Sequence, residues 1–125
     1  MEEEFIYKDE CYKIIGAAME VHKALGSGFL EQVYQEALTI EFGHSNVTFA
    51  EEVLLDINYK GKILTKKYLA DFVCYGAIII EIKAVEKLIP VHIAQVVNYL
   101  KATDMNLGLL INFGATSLQY KRIIF

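Results

Sequence analysis

The chain has 125 residues, 54% hydrophobic and 22% charged, which suits one folded domain with a single core and excludes a disordered chain. No apolar run approaches the ~20 residues of a membrane-spanning helix, and the acidic start lacks the basic end of a secretory signal. The formal charge of −4 is unevenly placed: Glu2, Glu3, Glu4, Asp9 and Glu10 supply five of the 16 acids against one of the 12 bases, Lys8, leaving eleven of each beyond them.

Residues 1–8 read as an acidic tail and residues 9–125 as one domain. Asp9 to Leu25 has a helical period, with Ile14, Ala18, Val21 and Leu25 at i, i+4, i+7 and i+11. Ile15, Met19 and His22 form the adjoining stripe, which sets His22 beside the apolar face; a histidine there is more often a hydrogen-bonded structural residue than a catalyst. Cys11 and Cys74 form no CxxC pair and read as reduced, buried thiols of a cytoplasmic protein.

Gly26-Ser27-Gly28 breaks the chain, and a second helix is predicted over Phe29 to Phe42, with Gly28 as N-cap and Glu31 reaching back from the third helical position. The same spacing puts Glu31, Tyr34, Gln35 and Leu38 on one face, which gives Glu31 a second option, reaching the sheet. After a polar turn at Gly43–Asn46 the period changes to two. Phe49–Tyr59 is a strand with Val53, Leu55 and Ile57 on one face. Lys60-Gly61 turns it into Ile63–Cys74, and Tyr75-Gly76 turns that into Ala77–Ala84, the most apolar strand and so the central one. Lys60, Lys62, Lys66 and Lys67 gather on the first hairpin, and Lys121 and Arg122 near the end; they suit phosphate contacts or simply a solvated edge.

Pro90 opens a helix that runs to Thr103, with Ile93, Val96, Val97 and Leu100 as its apolar stripe and His92, Gln95 and Tyr99 on the flank. Leu107–Phe113 and Gln119–Phe125 are the last strands. The order α-α-β-β-β-α-β-β predicts an α/β sandwich around a central mixed sheet.

Two strands carry charge where core is expected. Asp71 interrupts one, and Glu81 and Lys83 share a face of the next with Ile79, while Ile80 and Ile82 take the other face. Unpaired burial of such groups costs several kcal/mol, so they need partners, a metal or exposure at a strand end. Adjacent strands lie ~4.8 Å apart, close enough for Asp71 and Glu81 to share one ion. A hard divalent cation takes carboxylate oxygens, water and phosphate and lowers the pKa of its water. A neighbouring lysine then stabilises developing negative charge. The plain alternative is a structural ion network at the end of the sheet.

Asp71 with Glu81-Ile82-Lys83, Ala70 standing where the motif often has proline, resembles the PD-(D/E)xK nuclease superfamily. Gln95-Val96-Val97-Asn98-Tyr99 resembles the QxxxY helix of its lambda-exonuclease-like branch. Gly28-Phe29-Leu30-Glu31-Gln32-Val33-Tyr34 resembles the signature of the GxxExxY protein family, as do KIIGAAMEVHKALGSGFLEQVYQEAL, LIPVHIAQVVNYLKAT and LGLLINFG, so that the likeness spans about Asp9 to Phe125. The resemblance implies a restriction-endonuclease-like fold and a Mg²⁺ or Mn²⁺ site held by Asp71, Glu81, the Ile82 backbone carbonyl and Glu31. It further implies catalytic roles for Lys83, Gln95 and Tyr99, with His22 and Tyr34 as accessory residues. The expected function is a metal-dependent nuclease or nuclease-like phosphodiesterase acting on DNA or RNA. The alternative is a non-catalytic nuclease-fold module that binds nucleic acid or a protein partner. No membrane is expected as a partner, and the apolar content leaves room for a homo-oligomer surface.

Overall fold

Local sequence sets where each helix begins and ends. A computed structural model describes residues 6–125; of the expected acidic tail, residues 1–5 lie outside the described residues, and Lys8 is already helical. Helix α1 (Lys8–Leu25) stops at Gly26, whose φ of 69° suits glycine and whose N–H donates to the His22 carbonyl at 2.8 Å. Its buried face is Cys11, Ile14, Ile15, Ala17, Ala18 and Val21. Met19, expected on the second stripe, is 49% exposed, because the 100° step carries it past the arc centred on Ile14 and Ala18.

Helix α2 (Glu31–His44) begins two residues later than expected. Its N-cap is Leu30, in extended backbone and without a side-chain cap, so Gly28 is not the N-cap and Glu31 is the first helical residue instead of the third. The cause is Tyr34. Fully buried, its hydroxyl donates to the Gly26 carbonyl and accepts the Phe29 N–H at 3.2 Å, holding Gly26–Phe29 as a loop.

The strands are β1 (Phe49–Tyr59), β2 (Lys62–Cys74), β3 (Ile78–Lys83), β4 (Leu107–Asn112) and β5 (Gln119–Ile124), in the spatial order β1-β2-β3-β4-β5. All neighbours are antiparallel except β3 and β4, which run parallel from Ile78–Leu107 to Lys83–Asn112. Helix α3 (Pro90–Thr103), opened by Pro90 after extended Ile89, makes the crossover between them. The result is the expected mixed-sheet α/β fold in the expected order, with β3 central. Among the described residues no helix is long and apolar enough to cross a membrane.

The sheet separates two cores. One joins α1 and α2 to Phe72, Ile78, Ile80, Ile82, Leu109 and Ile111. The other joins α3 to Leu55, Ala70, Val73, Ile79 and Leu110, and takes in Tyr99, expected on the flank but only 6% exposed. In β1 the two layers are exchanged partway. Phe49 packs on Phe42 and Phe72 on the α2 side, yet Val53 and Leu55 pack on the α3 side, although plain alternation would give all three one face. The switch falls at Glu52, whose φ is +53°; the register places it opposite Asp71, between the pairs Glu51–Phe72 and Val53–Ala70. Phe72 and Ala70 change layers in the same way on β2. The β1–β2 ribbon therefore turns over at Glu52 and Asp71.

Candidate metal centre

Strand β2 pairs with β3 only through Phe72–Ile80, Val73–Ile79 and Cys74–Ile78. The next step would be Asp71 against Glu81, and there the sheet forks. The backbone N–H of Asp71 donates to Glu81 Oε2 at 2.9 Å, and the N–H of Ile82 donates to Asp71 Oδ2 at 2.7 Å. Each carboxylate thus stands in for a strand carbonyl across the gap. Charge-assisted bonds of this kind are among the stronger ones, and an orphaned buried N–H would cost ~1–3 kcal/mol. The fork explains how a core strand accommodates a glutamate that is only 4% exposed.

The electrostatics of the fork are poised for a cation. Burial, then the neighbouring Asp71 charge, pushes Glu81 up to about 8, against the lowering pull of its backbone hydrogen bond and of Lys83. Asp71 is also raised, chiefly by burial, with Glu31 and Glu52 adding to the effect and the Ile82 N–H and Lys83 opposing it. Each carboxylate keeps its second oxygen without a hydrogen-bond partner among the described residues. A cation would displace the proton that burial and the Asp71 charge favour on Glu81, and the two oxygens would then suit a partly hydrated hard divalent ion, commonly held by one or two carboxylates plus water and phosphate. The donor set fits such an ion. Among the described residues, however, no three His, Cys, Asp or Glu side chains are arranged to hold a metal.

Glu31 is exposed at the first turn of α2, within electrostatic range of both carboxylates but not joined to them as a third ligand. Lys83 ends β3 half-buried, its carbonyl accepting the Phe113 N–H at 2.8 Å and its side chain making no hydrogen bond or ion pair among the described residues. On α3, Gln95 Nε2 donates to the Tyr99 hydroxyl at 3.2 Å, and the Tyr99 ring lies 4.7 Å from that of Tyr68. Burial, then the charges of Glu81 and Asp71, push Tyr99 up to about 12. Ile82 offers its N–H to Asp71.

His22 and Tyr34 stand apart from the fork. His22 Nε2 lies 3.0 Å from the Ala115 carbonyl and ties α1 to the loop after β4. Tyr34 stacks on Phe113, ring centroids 4.7 Å apart, and fixes the loop from which α2 and Glu31 start.

Two residues escaped the sequence reading. Glu52 faces Asp71 across the ribbon, and nothing in the letter E announces a left-handed backbone. Asn112 is fully buried: Oδ1 accepts the N–H groups of Val85 (2.9 Å) and Gly114 (3.0 Å), and Nδ2 donates to the Val85 carbonyl (2.8 Å) and to Gln119 Oε1 (2.9 Å). It knots together the two loops beyond the Lys83 end of β3. A polar residue closing the apolar run LGLLIN was the available signal.

Comparison with known proteins agrees with this architecture. The solved structure titled "Crystal structure of SSO0001" superposes with a TM-score of 0.58 at 23% identity, over 94% of this chain and 59% of that one, so the chain spans about three-fifths of that structure's length. A search of curated proteins found no match. The family model described as the PD-(D/E)XK nuclease superfamily matches residues 8–123, nearly the whole sequence. The chain belongs to the PD-(D/E)XK nuclease superfamily.

Proposed function

We propose that this chain is a metal-dependent nuclease that hydrolyses phosphodiester bonds in nucleic acid at the fork between β2 and β3. The observation that carries the reading is the pair Asp71 and Glu81, two carboxylates with raised pKa values that hold each other's strands and keep one oxygen each uncommitted. Asp71, Glu81 and the Ile82 carbonyl would hold Mg²⁺ or Mn²⁺, with Glu31 acting through a bound water. The ion supplies charge neutralisation at the phosphate and an acidified water. Lys83, uncommitted at the end of β3, orients the attacking water and offsets negative charge on the phosphate. Gln95, steadied by Tyr99, positions the water or a phosphate oxygen. The Gln95–Tyr99 pair supports placement in the lambda-exonuclease-like branch, and the Gly28–Glu31–Tyr34 spacing supports the GxxExxY family within it.

The test is cleavage of labelled single- and double-stranded DNA and RNA by the full chain with Mg²⁺ or Mn²⁺, alongside calorimetric titration of Mn²⁺. Cleavage lost in Lys83→Ala with folding retained, and Mn²⁺ binding lost in Asp71→Asn, are the expected results. Absence of cleavage on every substrate with either metal overturns the reading. A second reading, a non-catalytic module binding nucleic acid or a protein partner, is favoured by one observation: no three metal-ligating side chains converge among the described residues. No Mn²⁺ binding, or Mn²⁺ binding indifferent to Asp71→Asn, would favour it.

A further inference from the structure

Beyond the fork, β2 has no β3 partner, so Val53–Ala70 runs on as a two-stranded ribbon. Val53, Leu55, Tyr68 and Ala70 seat one face of it on α3. The ribbon carries Lys60, Lys62, Lys66 and Lys67 against one acid, Asp56, a net +3 within a chain whose formal charge is −4. The remaining residues therefore sum to −7.

Among the described residues Lys67 alone of the four is neutralised, through its 2.6 Å ion pair with Asp56. Lys60, Lys62 and Lys66 are exposed and make no ion pair among the described residues, and Lys60 lies 5.4 Å over the ring of Tyr59, itself 58% exposed. Three unneutralised ammonium groups segregated on one projecting element of an acidic chain fit a polyanion. The ribbon is rooted at Asp71. At ~3.3 Å per residue its lysines lie between roughly 13 and 30 Å of chain from that carboxylate, the spacing of phosphates several nucleotides from one bound at the fork.

We propose that the Val53–Ala70 ribbon is an arm that grips the phosphate backbone of nucleic acid flanking the bond presented to Asp71 and Glu81. The proposal rests on the nuclease reading for what happens at the fork, but the grip itself needs neither metal nor cleavage. Binding is therefore measured on the full chain in chelator, by fluorescence anisotropy. The probes are labelled DNA and RNA of about 30 nucleotides, single- and double-stranded, long enough to run the ~30 Å arm.

The triple variant K60E/K62E/K66E is expected to bind about tenfold or more weakly at low salt. The slope of log affinity against log salt on duplex should shrink by about 2 to 3, as loss of three phosphate contacts requires. K60Q/K62Q/K66Q, which only removes charge, should lose the same slope if the reversed variant folds poorly. K13E/K23E, on the exposed side of α1, should bind as the parent does. Affinity and slope unchanged in both ribbon variants overturn the arm, as does a parent chain that binds none of the probes. If the lysines instead keep the ribbon's free edges from pairing with a second copy, the variants self-associate in sedimentation while affinity holds, which also overturns it. Ribbon-dependent binding without cleavage in any metal leaves the arm standing and the nuclease reading refuted; cleavage with ribbon-independent binding does the reverse.

Discussion

Replacing Glu81 by glutamine should make the metal-free protein more stable, and increasingly so as pH rises. Glu81 is 4% exposed, and its carboxyl is shifted from 4.5 to about 8 by burial and by Asp71. A carboxyl whose pKa is higher in the folded than in the unfolded chain contributes stability that is fully present below the unfolded value. That contribution is lost as pH climbs through the folded value, here between 4.5 and about 8. At ~1.4 kcal/mol per pKa unit the loss approaches about 5 kcal/mol once both states are ionised, an upper figure that local relaxation around the carboxylate reduces. Glutamine removes the titration and keeps an acceptor for the Asp71 N–H, now 2.9 Å from Oε2. Urea denaturation in chelator, followed by circular dichroism, should show E81Q and parent close together near about pH 5 and separated by about 2–4 kcal/mol in favour of the variant near about pH 9. Added Mn²⁺ should narrow or reverse the gap, because only the parent gains from binding it. A difference that does not change with pH, or a less stable E81Q in alkaline chelator, would refute the electrostatic account of the fork.

Three further outcomes follow from the frame around the fork. Asn112→Ala leaves both Val85 backbone groups and the Gly114 N–H without their Asn112 partner, and should lower the unfolding free energy from urea denaturation by about 3 kcal/mol or more. Gly114→Ala puts a methyl 2.4 Å from the backbone N and O of Val85, so the loop after β3 must move; a loss of ~3 kcal/mol or more is expected, and an unchanged melting curve would show the approach to be looser. Glu52→Val asks a β-branched residue to hold a φ of +53° and should destabilise by about 1–3 kcal/mol, whereas Glu52→Asn should be neutral or better in the same thermal scan.

The element order and the central position of β3 were legible because periodicity changes cleanly from 3.6 to 2 after Gly43–Asn46 and because Pro90 marks a helix start. Asp71 and Glu81 were legible as a pair because antiparallel strands joined by a tight turn have one register, and that register brings them together. The turnover of the ribbon was not legible. Alternation predicts that Phe49 and Val53 share a face, and only the left-handed Glu52 breaks the pattern. The start of α2 was misplaced for a related reason: a capping-box spacing at Gly28 and Glu31 competes with a tertiary hydrogen bond from Tyr34, and the tertiary bond prevails. Asn112 escaped because its partners, Val85 and Gln119, are distant in sequence.

The crossed bonds at the fork also bear on how this chain's history should be read. A relative without nuclease activity would still need a side-chain acceptor at positions 71 and 81, since losing either leaves a backbone N–H orphaned where β2 parts from β3. Selection for folding alone preserves an acceptor at each position, which an amide supplies as well as an acid. Lys83 is different: its ammonium makes no hydrogen bond or ion pair among the described residues and only eases the charges of Asp71 and Glu81, so folding gives less reason to keep it. Across relatives, survival of the lysine therefore tracks chemistry, whereas at positions 71 and 81 the fold asks only for a side-chain acceptor.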